Sequence, residues 1–153
     1  RVKQLRDVFT SAGIEVQLPE NIIADMWDKL LFISAFGGVG AVTRQPAGII
    51  RQLPETRAML KSAMEEVKAV AQGREIVLAD DAVETGMAIV DALPFEAMAS
   101  MQRDILNESP SELDAQNGAV VRLGAEVNVP TPTHQFLYHA LLPQEKVARR
   151  EVG

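Results

Sequence analysis

The sequence contains no cysteine among its 153 residues. That excludes disulfides, thiolate zinc sites, iron–sulfur clusters and a cysteine nucleophile, and it agrees with a reducing, cytoplasmic setting. No apolar run approaches the ~18 residues of a membrane span, and no signal-peptide pattern opens the chain. A membrane role is therefore not expected. Positive charge is in deficit: 15 Lys and Arg stand against 21 Asp and Glu, for a net charge of −6. The basic residues are scattered rather than drawn into a stripe, so a nucleic acid partner is not expected either. His134 and His139, the two histidines, lie five positions apart. That spacing does not put both on one helix face for a metal, and surface or capping positions are expected for them.

What is present is a strong helical period. The length fits one domain, and 47% hydrophobic with 24% charged residues is the ordinary balance of a globular one. Arg1 to Thr10 reads as an amphipathic helix with Val2, Leu5, Val8 and Phe9 on one side and Gly13 at its C′ position. A chain that opens on Arg1 inside a helical pattern is expected to be a piece of a longer protein. Ile14 to Leu18 alternates and predicts one short strand, with its partners outside this chain, because a single strand cannot form a sheet.

The strongest helix runs from Asn21 to about Phe36, carrying Ile22, Ile23, Met26, Trp27, Leu30 and Leu31 at three- and four-residue spacing. Gly37, Gly38 and Gly40 follow it. A short helix is expected through Ile49 and Ile50. A long one follows from Glu55 to Gln72, with Pro54 at its N1 position. Asp80 or Asp81 caps another, carrying Val83, Met87, Ile89 and Val90. Phe95 to Leu106, Ser109 to about Glu126, and a last stretch opened by Thr131-Pro132 and interrupted by Leu142-Pro143 complete the set. The sum is an all-α fold: an irregular bundle of about seven helices with at most one short strand near the N-terminus.

Three features carry candidate chemistry. Lys29 has Ile22, Met26, Ile33 and Phe36 as helical neighbours. Desolvation on such a face would lower its pKa toward values useful for proton transfer; the plainer reading is a stem packed on apolar surface with the ammonium in water. Glu112 completes a capping box, Ser109-Pro110-Ser111-Glu112, with Pro at N1 and Glu at N3. A carboxylate there can also face a cleft and accept a ligand hydroxyl. Gly37-Gly38-Val39-Gly40 lacks the Lys and Ser/Thr of a phosphate loop and follows no strand, so close backbone packing is expected to explain it.

Trp27-Asp28-Lys29-Leu30 resembles the W-x-K-L segment of ketopantoate (2-dehydropantoate 2-) reductases. Ser100-Met101-Gln102-Arg103-Asp104 resembles their S-M-x-x-D segment, and Glu112 to Gly118 their E-x-D-x-x-N-G segment. Val129 to Thr133 is similar to their closing V-P-x-N/P-T. The resemblance covers roughly Leu5 to Leu142 and corresponds to the family's C-terminal helical domain, of the 6-phosphogluconate-dehydrogenase-like kind. It implies that residues 1–18 are the tail end of a linker or N-terminal domain. Residues 19–153 would be the substrate-binding and catalytic domain, with the partner an N-terminal Rossmann domain that holds most of the NADP(H). It implies reduction of a 2-oxo acid to a 2-hydroxy acid in pantothenate and coenzyme A biosynthesis. Lys29 would protonate the carbonyl oxygen, Ser100 would bind the substrate carboxylate and Glu112 its hydroxyl. A homodimer is also expected, and this chain alone is expected to be inactive.

The sequence departs from that pattern where family members carry asparagines: Ile33, Gly37, Ala47 and Ala97 stand at those positions. Ser34 is a candidate to restore part of the lost polarity. The departures leave open a related reductase of a different 2-oxo acid. A non-catalytic helical interaction or dimerisation module, with Lys29 and Glu112 purely structural, is the alternative of another class.

Overall fold

Asn21 starts the element around which the others are arranged. Its backbone is extended, and its Oδ1 accepts the N–H groups of Ile23 and Ala24 at 3.1 and 3.2 Å, capping amides that the first helical turn leaves unpaired. The helix so begun, α2 (Ile22–Thr43), follows α1 (Val2–Ser11) in a computed structural model that describes residues 1–152. Then come α3 (Ala47–Gln52), α4 (Pro54–Gly73), α5 (Ala82–Ala92), α6 (Ser100–Leu106), a π-helical turn (Asp114–Gly118), α7 (Ala119–Glu126) and α8 (Pro132–Ala148). The fold is all-α, with no strand among the described residues. Ile14 to Leu18, expected as a short strand, forms no regular element and joins no ladder. No helix is long and apolar enough to cross a membrane among the same residues.

The core lies between α2 and α4. Leu60, Ala63, Met64, Val67, Val70 and Ala71 of α4 are fully buried against Leu31, Ala35 and Val39 of α2. Each large side chain so buried contributes about 1.5–3 kcal/mol. Pro54 sits in the first turn of α4 as expected. Asp81 holds the N-cap position of α5, but its side chain makes no cap hydrogen bond.

Helix α2 does not end at Phe36. It continues through Gly37, Gly38 and Gly40 and stops at Arg44, which takes the left-handed conformation (φ 57°) and donates its N–H to Gly40 O. Each glycine costs about 1 kcal/mol relative to alanine in a helix, and packing outweighs this. A Cβ on Gly38 would lie 2.7 Å from Asn117 Nδ2 and 2.9 Å from a Leu137 methyl; one on Gly40 would lie 2.5 Å from Gln102 Oε1. The expected close backbone packing is therefore the role of these glycines.

Two further expectations need correction. Phe95 to Ala99 is a loop rather than the first part of a helix. Its carbonyls are committed elsewhere: Phe95 O accepts Gly48 N at 2.8 Å and Ala97 O accepts Ala47 N at 2.9 Å, satisfying the free amides at the start of α3. Pro143 lies inside α8 instead of interrupting it. It removes one ladder hydrogen bond, but Leu141 before it and Glu145 after it are both buried, and these anchors keep the helix going.

His134 is neither a surface nor a capping histidine; it is fully buried. Its Nδ1 lies 2.9 Å from Glu66 Oε2 and its Nε2 3.1 Å from Ser34 Oγ, which donates to Leu30 O at 2.7 Å. Glu66 also accepts the amides of Thr133 and His134 at 2.7 and 2.9 Å, so a side chain of α4 caps the start of α8. Burial pushes the Glu66 carboxyl up, but hydrogen bonds from the His134 ring and the two amides hold it below its ordinary value. His139 is exposed.

Candidate active site

Helical spacing on α2 places Lys29, Phe32, Ile33 and Phe36 toward one opening. The loop before α6 faces them with Leu93, Ala97, Met98 and Ala99, and α6 begins there with Ser100 and Met101. The segment ahead of α7 closes the remaining side with Glu112 and Gln116. Together these residues line a cavity of 390 Å³. Lys29, Ser100 and Glu112, singled out on three separate stretches of sequence, meet in this one cavity.

All three side chains are exposed to the cavity mouth. The exposure of Lys29 agrees with the plainer reading, its ammonium reaching water, because the neighbours this chain supplies do not desolvate it. Asp28 beside it does not line the cavity; burial first, then the charges of Asp25 and Asp81, raise its carboxyl above the ordinary value.

Glu112 does not close a capping box. Residues 109 to 112 are not helical. Ser111 rather than Ser109 makes the local cap, its Oγ accepting Leu113 N at 3.2 Å. The buried Glu145 of α8 accepts Ser111 N on both oxygens, each at 3.1 Å, and Arg149 donates to Ser111 O. These tertiary bonds draw the chain out of the geometry that the local motif favours. Glu112 is left free to accept from Gln116 Nε2 at 2.9 Å.

The segment then winds as a π-helical turn, with Gly118 N donating to Leu113 O at 3.1 Å. Asn117 Nδ2 pins it to Ser34 O at 3.1 Å. Arg122 and Tyr138 both donate to Asp114 Oδ1, at 2.9 and 2.8 Å. The Arg122 bond first, then the Tyr138 bond, holds the Asp114 carboxyl below the usual range.

Of the positions where family members carry asparagine, Ile33 and Ala97 line the cavity. Ala47 is buried beneath the loop, and Gly37 is buried against Met101, whose Cε lies 3.0 Å from where a Gly37 Cβ would be. Ser34 does not compensate for them: it is fully buried and committed to Leu30 O and His134. Lys29, Ile33, Glu112 and Gln116 also border a second, more open groove of 440 Å³ walled by Met26, Trp27, Leu30, Ala115 and Leu123.

A larger depression of 570 Å³ between α4 and α5 is edged by Arg57 and Asp91. These two are bonded to each other at 2.5 and 2.7 Å, so their charges are mutually satisfied. No acidic or histidine cluster suited to a metal occurs among the described residues. Gln116 escaped the sequence reading. Its signal was its position four residues after Glu112, a spacing at which helical side chains meet.

The family profile "Ketopantoate reductase PanE/ApbA C terminal" matches residues 21–145. A 2-dehydropantoate 2-reductase from Pyrobaculum aerophilum is 27% identical over 146 residues, covering 95% of this chain and 52% of that protein. The chain thus spans about half the length of the curated relatives it matches. The structure of a dimeric ketopantoate reductase from Staphylococcus aureus superposes with a TM-score of 0.87 at 28% identity, over 96% of this chain and 51% of that one. A D-mandelate dehydrogenase in ternary complex with NADH and anilino(oxo)acetate shares the fold, with a TM-score of 0.85 at 23% identity over 97% and 62% of the two chains.

Proposed function

The chain belongs to the family of ketopantoate reductase C-terminal domains, and from that premise we propose that it is the substrate-binding and catalytic wall of an NADP(H)-dependent reductase of 2-oxo acids. 2-Dehydropantoate is the first substrate to test, in the service of pantothenate and coenzyme A biosynthesis. The observation that carries the proposal is the convergence of Lys29, Ser100 and Glu112 on one cavity from three distant segments.

The glycine run of this chain offers the nucleotide no phosphate loop. Gly37, Gly38 and Gly40 lie inside a helix under neighbouring side chains, where no phosphate can approach them. In this proposal NADP(H) is held mainly by an N-terminal Rossmann half, and would supply the hydride from there. Residues 1–18 support that arrangement. Helix α1 buries nothing here, and Val2, Leu5, Val8 and Phe9 stay exposed, as they would if they pack on another domain of the same protein.

Reduction of a ketone builds negative charge on its oxygen, and a positioned proton donor lowers that barrier. Lys29 is the donor in this proposal, giving its proton to the carbonyl oxygen as the 2-hydroxy acid forms. The Ser100 hydroxyl binds the substrate carboxylate and the Glu112 carboxylate accepts the substrate hydroxyl. Phe32, Ile33, Phe36 and Met98 give this side of the cavity an apolar wall. By analogy with the dimeric Staphylococcus aureus relative, the complete enzyme is a homodimer in this proposal.

The test is 2-oxo-acid-dependent oxidation of NADPH by the complete protein, with 2-dehydropantoate and unsubstituted 2-oxo acids compared. No turnover with any 2-oxo acid would overturn the reading in favour of a non-catalytic module. Turnover with another 2-oxo acid but not 2-dehydropantoate would correct the substrate alone.

A further inference from the structure

Gln116 is nearly buried, at 6% exposure. Its carboxamide orientation is dictated by its neighbour. A carboxylate can only accept hydrogen bonds, so the amide nitrogen must face Glu112, and it does so at 2.9 Å. The opposite atom, Oε1, is then turned inward, where it is buried without a partner. A buried acceptor left unpaired is unfavourable, and a leucine of similar size would not carry that cost.

The backbone beneath is held on both sides. Asn117 is tied to Ser34 O, and Asp114 receives Arg122 and Tyr138. Gln116 is thus an amide held on a fixed turn with its oxygen unpaired, its one side-chain bond directed to a carboxylate of the cavity.

We propose that Gln116 is a positioning residue that holds the Glu112 carboxylate in the orientation in which its remaining lone pairs accept a substrate hydroxyl. This rests on the reading of Glu112 given above. Without the amide, Glu112 is an exposed, rotatable side chain at the cavity mouth, free to turn toward the neighbouring groove that it also borders. With it, one oxygen is occupied and the other is presented to a ligand. The role is specific to substrates that carry a hydroxyl.

The experiment uses the complete reductase and a matched pair of substrates: 2-dehydropantoate, and 3,3-dimethyl-2-oxobutanoate, which lacks only its hydroxyl. Gln116→Leu is expected to raise KM for the hydroxylated acid by about tenfold to a hundredfold, the scale of a misplaced binding group. The KM of the deoxy acid and both kcat values stay essentially unchanged, and the melting temperature does not fall.

Gln116→Glu provides a second readout. Two adjacent carboxylates share a proton, so KM for the hydroxylated acid alone should rise with pH. If Gln116→Leu shifts both substrates equally, or lowers the melting temperature without changing their ratio, Gln116 is merely structural and the inference is overturned. Glu112→Ala separates this failure from that of the parent reading. If Glu112→Ala abolishes the preference for the hydroxyl while Gln116→Leu spares it, only the inference fails. If Glu112→Ala itself spares the preference, the parent reading of Glu112 fails and the inference falls with it.

Discussion

Glu66 Oε2 lies 2.9 Å from His134 Nδ1, and through the far side of that buried ring the contact reaches Ser34 on the helix that carries Lys29. One carboxylate therefore ties α4, α8 and α2 together. Its carboxyl is held below the ordinary value, so folding favours the ionised form. The stability this supplies is complete above the unfolded-chain value of about 4.3 and is lost as pH falls through the lower folded value. Glu66→Gln should cost about 1–3 kcal/mol at neutral pH and flatten the decline in acid. Urea unfolding of both proteins between about pH 6 and about pH 3 measures this. Parallel acid limbs would show that the loss arises at other carboxylates.

Lys29→Ala in the complete enzyme should lower kcat by at least about a hundredfold, the low end of general acid catalysis. The side chain is exposed, so the domain should fold as before. Steady-state kinetics with a circular dichroism control decide it. Near-normal turnover in a folded variant would place the proton donor elsewhere.

Glu112→Ala should raise KM and cost at most about 1 kcal/mol of stability, because Glu112 is exposed, caps nothing and makes a single, partly buried bond to Gln116. The stability cost instead belongs to Ser111, whose N–H and hydroxyl both go to the buried Glu145 and whose Oγ also accepts Leu113 N. Ser111→Ala should cost about 1–3 kcal/mol, and Ser109→Ala close to nothing. Chemical denaturation of the three variants checks the order. A loss at Ser109 equal to that at Ser111 would restore the local capping box.

Gly38→Ala should destabilise by about 1–3 kcal/mol through overpacking, although alanine is the better helix former. The added methyl would meet Asn117 and Leu137 at under 3 Å. Thermal unfolding gives the sign, and a rise in melting temperature would mean that the contact relaxes freely.

The helical class of this domain was legible in its sequence, because apolar residues at three- and four-residue spacing form one face of a helix, whatever that face meets. Asn21 before α2, Pro54 at the start of α4 and Gly13 after α1 mark real helix ends, since those signals act within a few residues of themselves. The segments around Lys29, Ser100 and Glu112 could be picked out, but nothing local says that they converge.

What only the tertiary structure decided is wherever a distant group competes with a neighbour in sequence. Gly37 to Gly40 stay helical because α6, α8 and the π-helical turn fill the space a side chain would need. Pro143 stays in its helix because Leu141 and Glu145 are anchored on either side. Ser109 loses its cap to Ser111 because Glu145 lies 34 positions away in sequence yet at hydrogen-bond distance. His134 is buried for the same reason: Glu66 and Ser34 reach it from two other helices. Local propensities are worth tenths of a kcal/mol to about one per residue. A buried polar group left unpaired costs about 1–3 kcal/mol, so the distant partner sets the outcome.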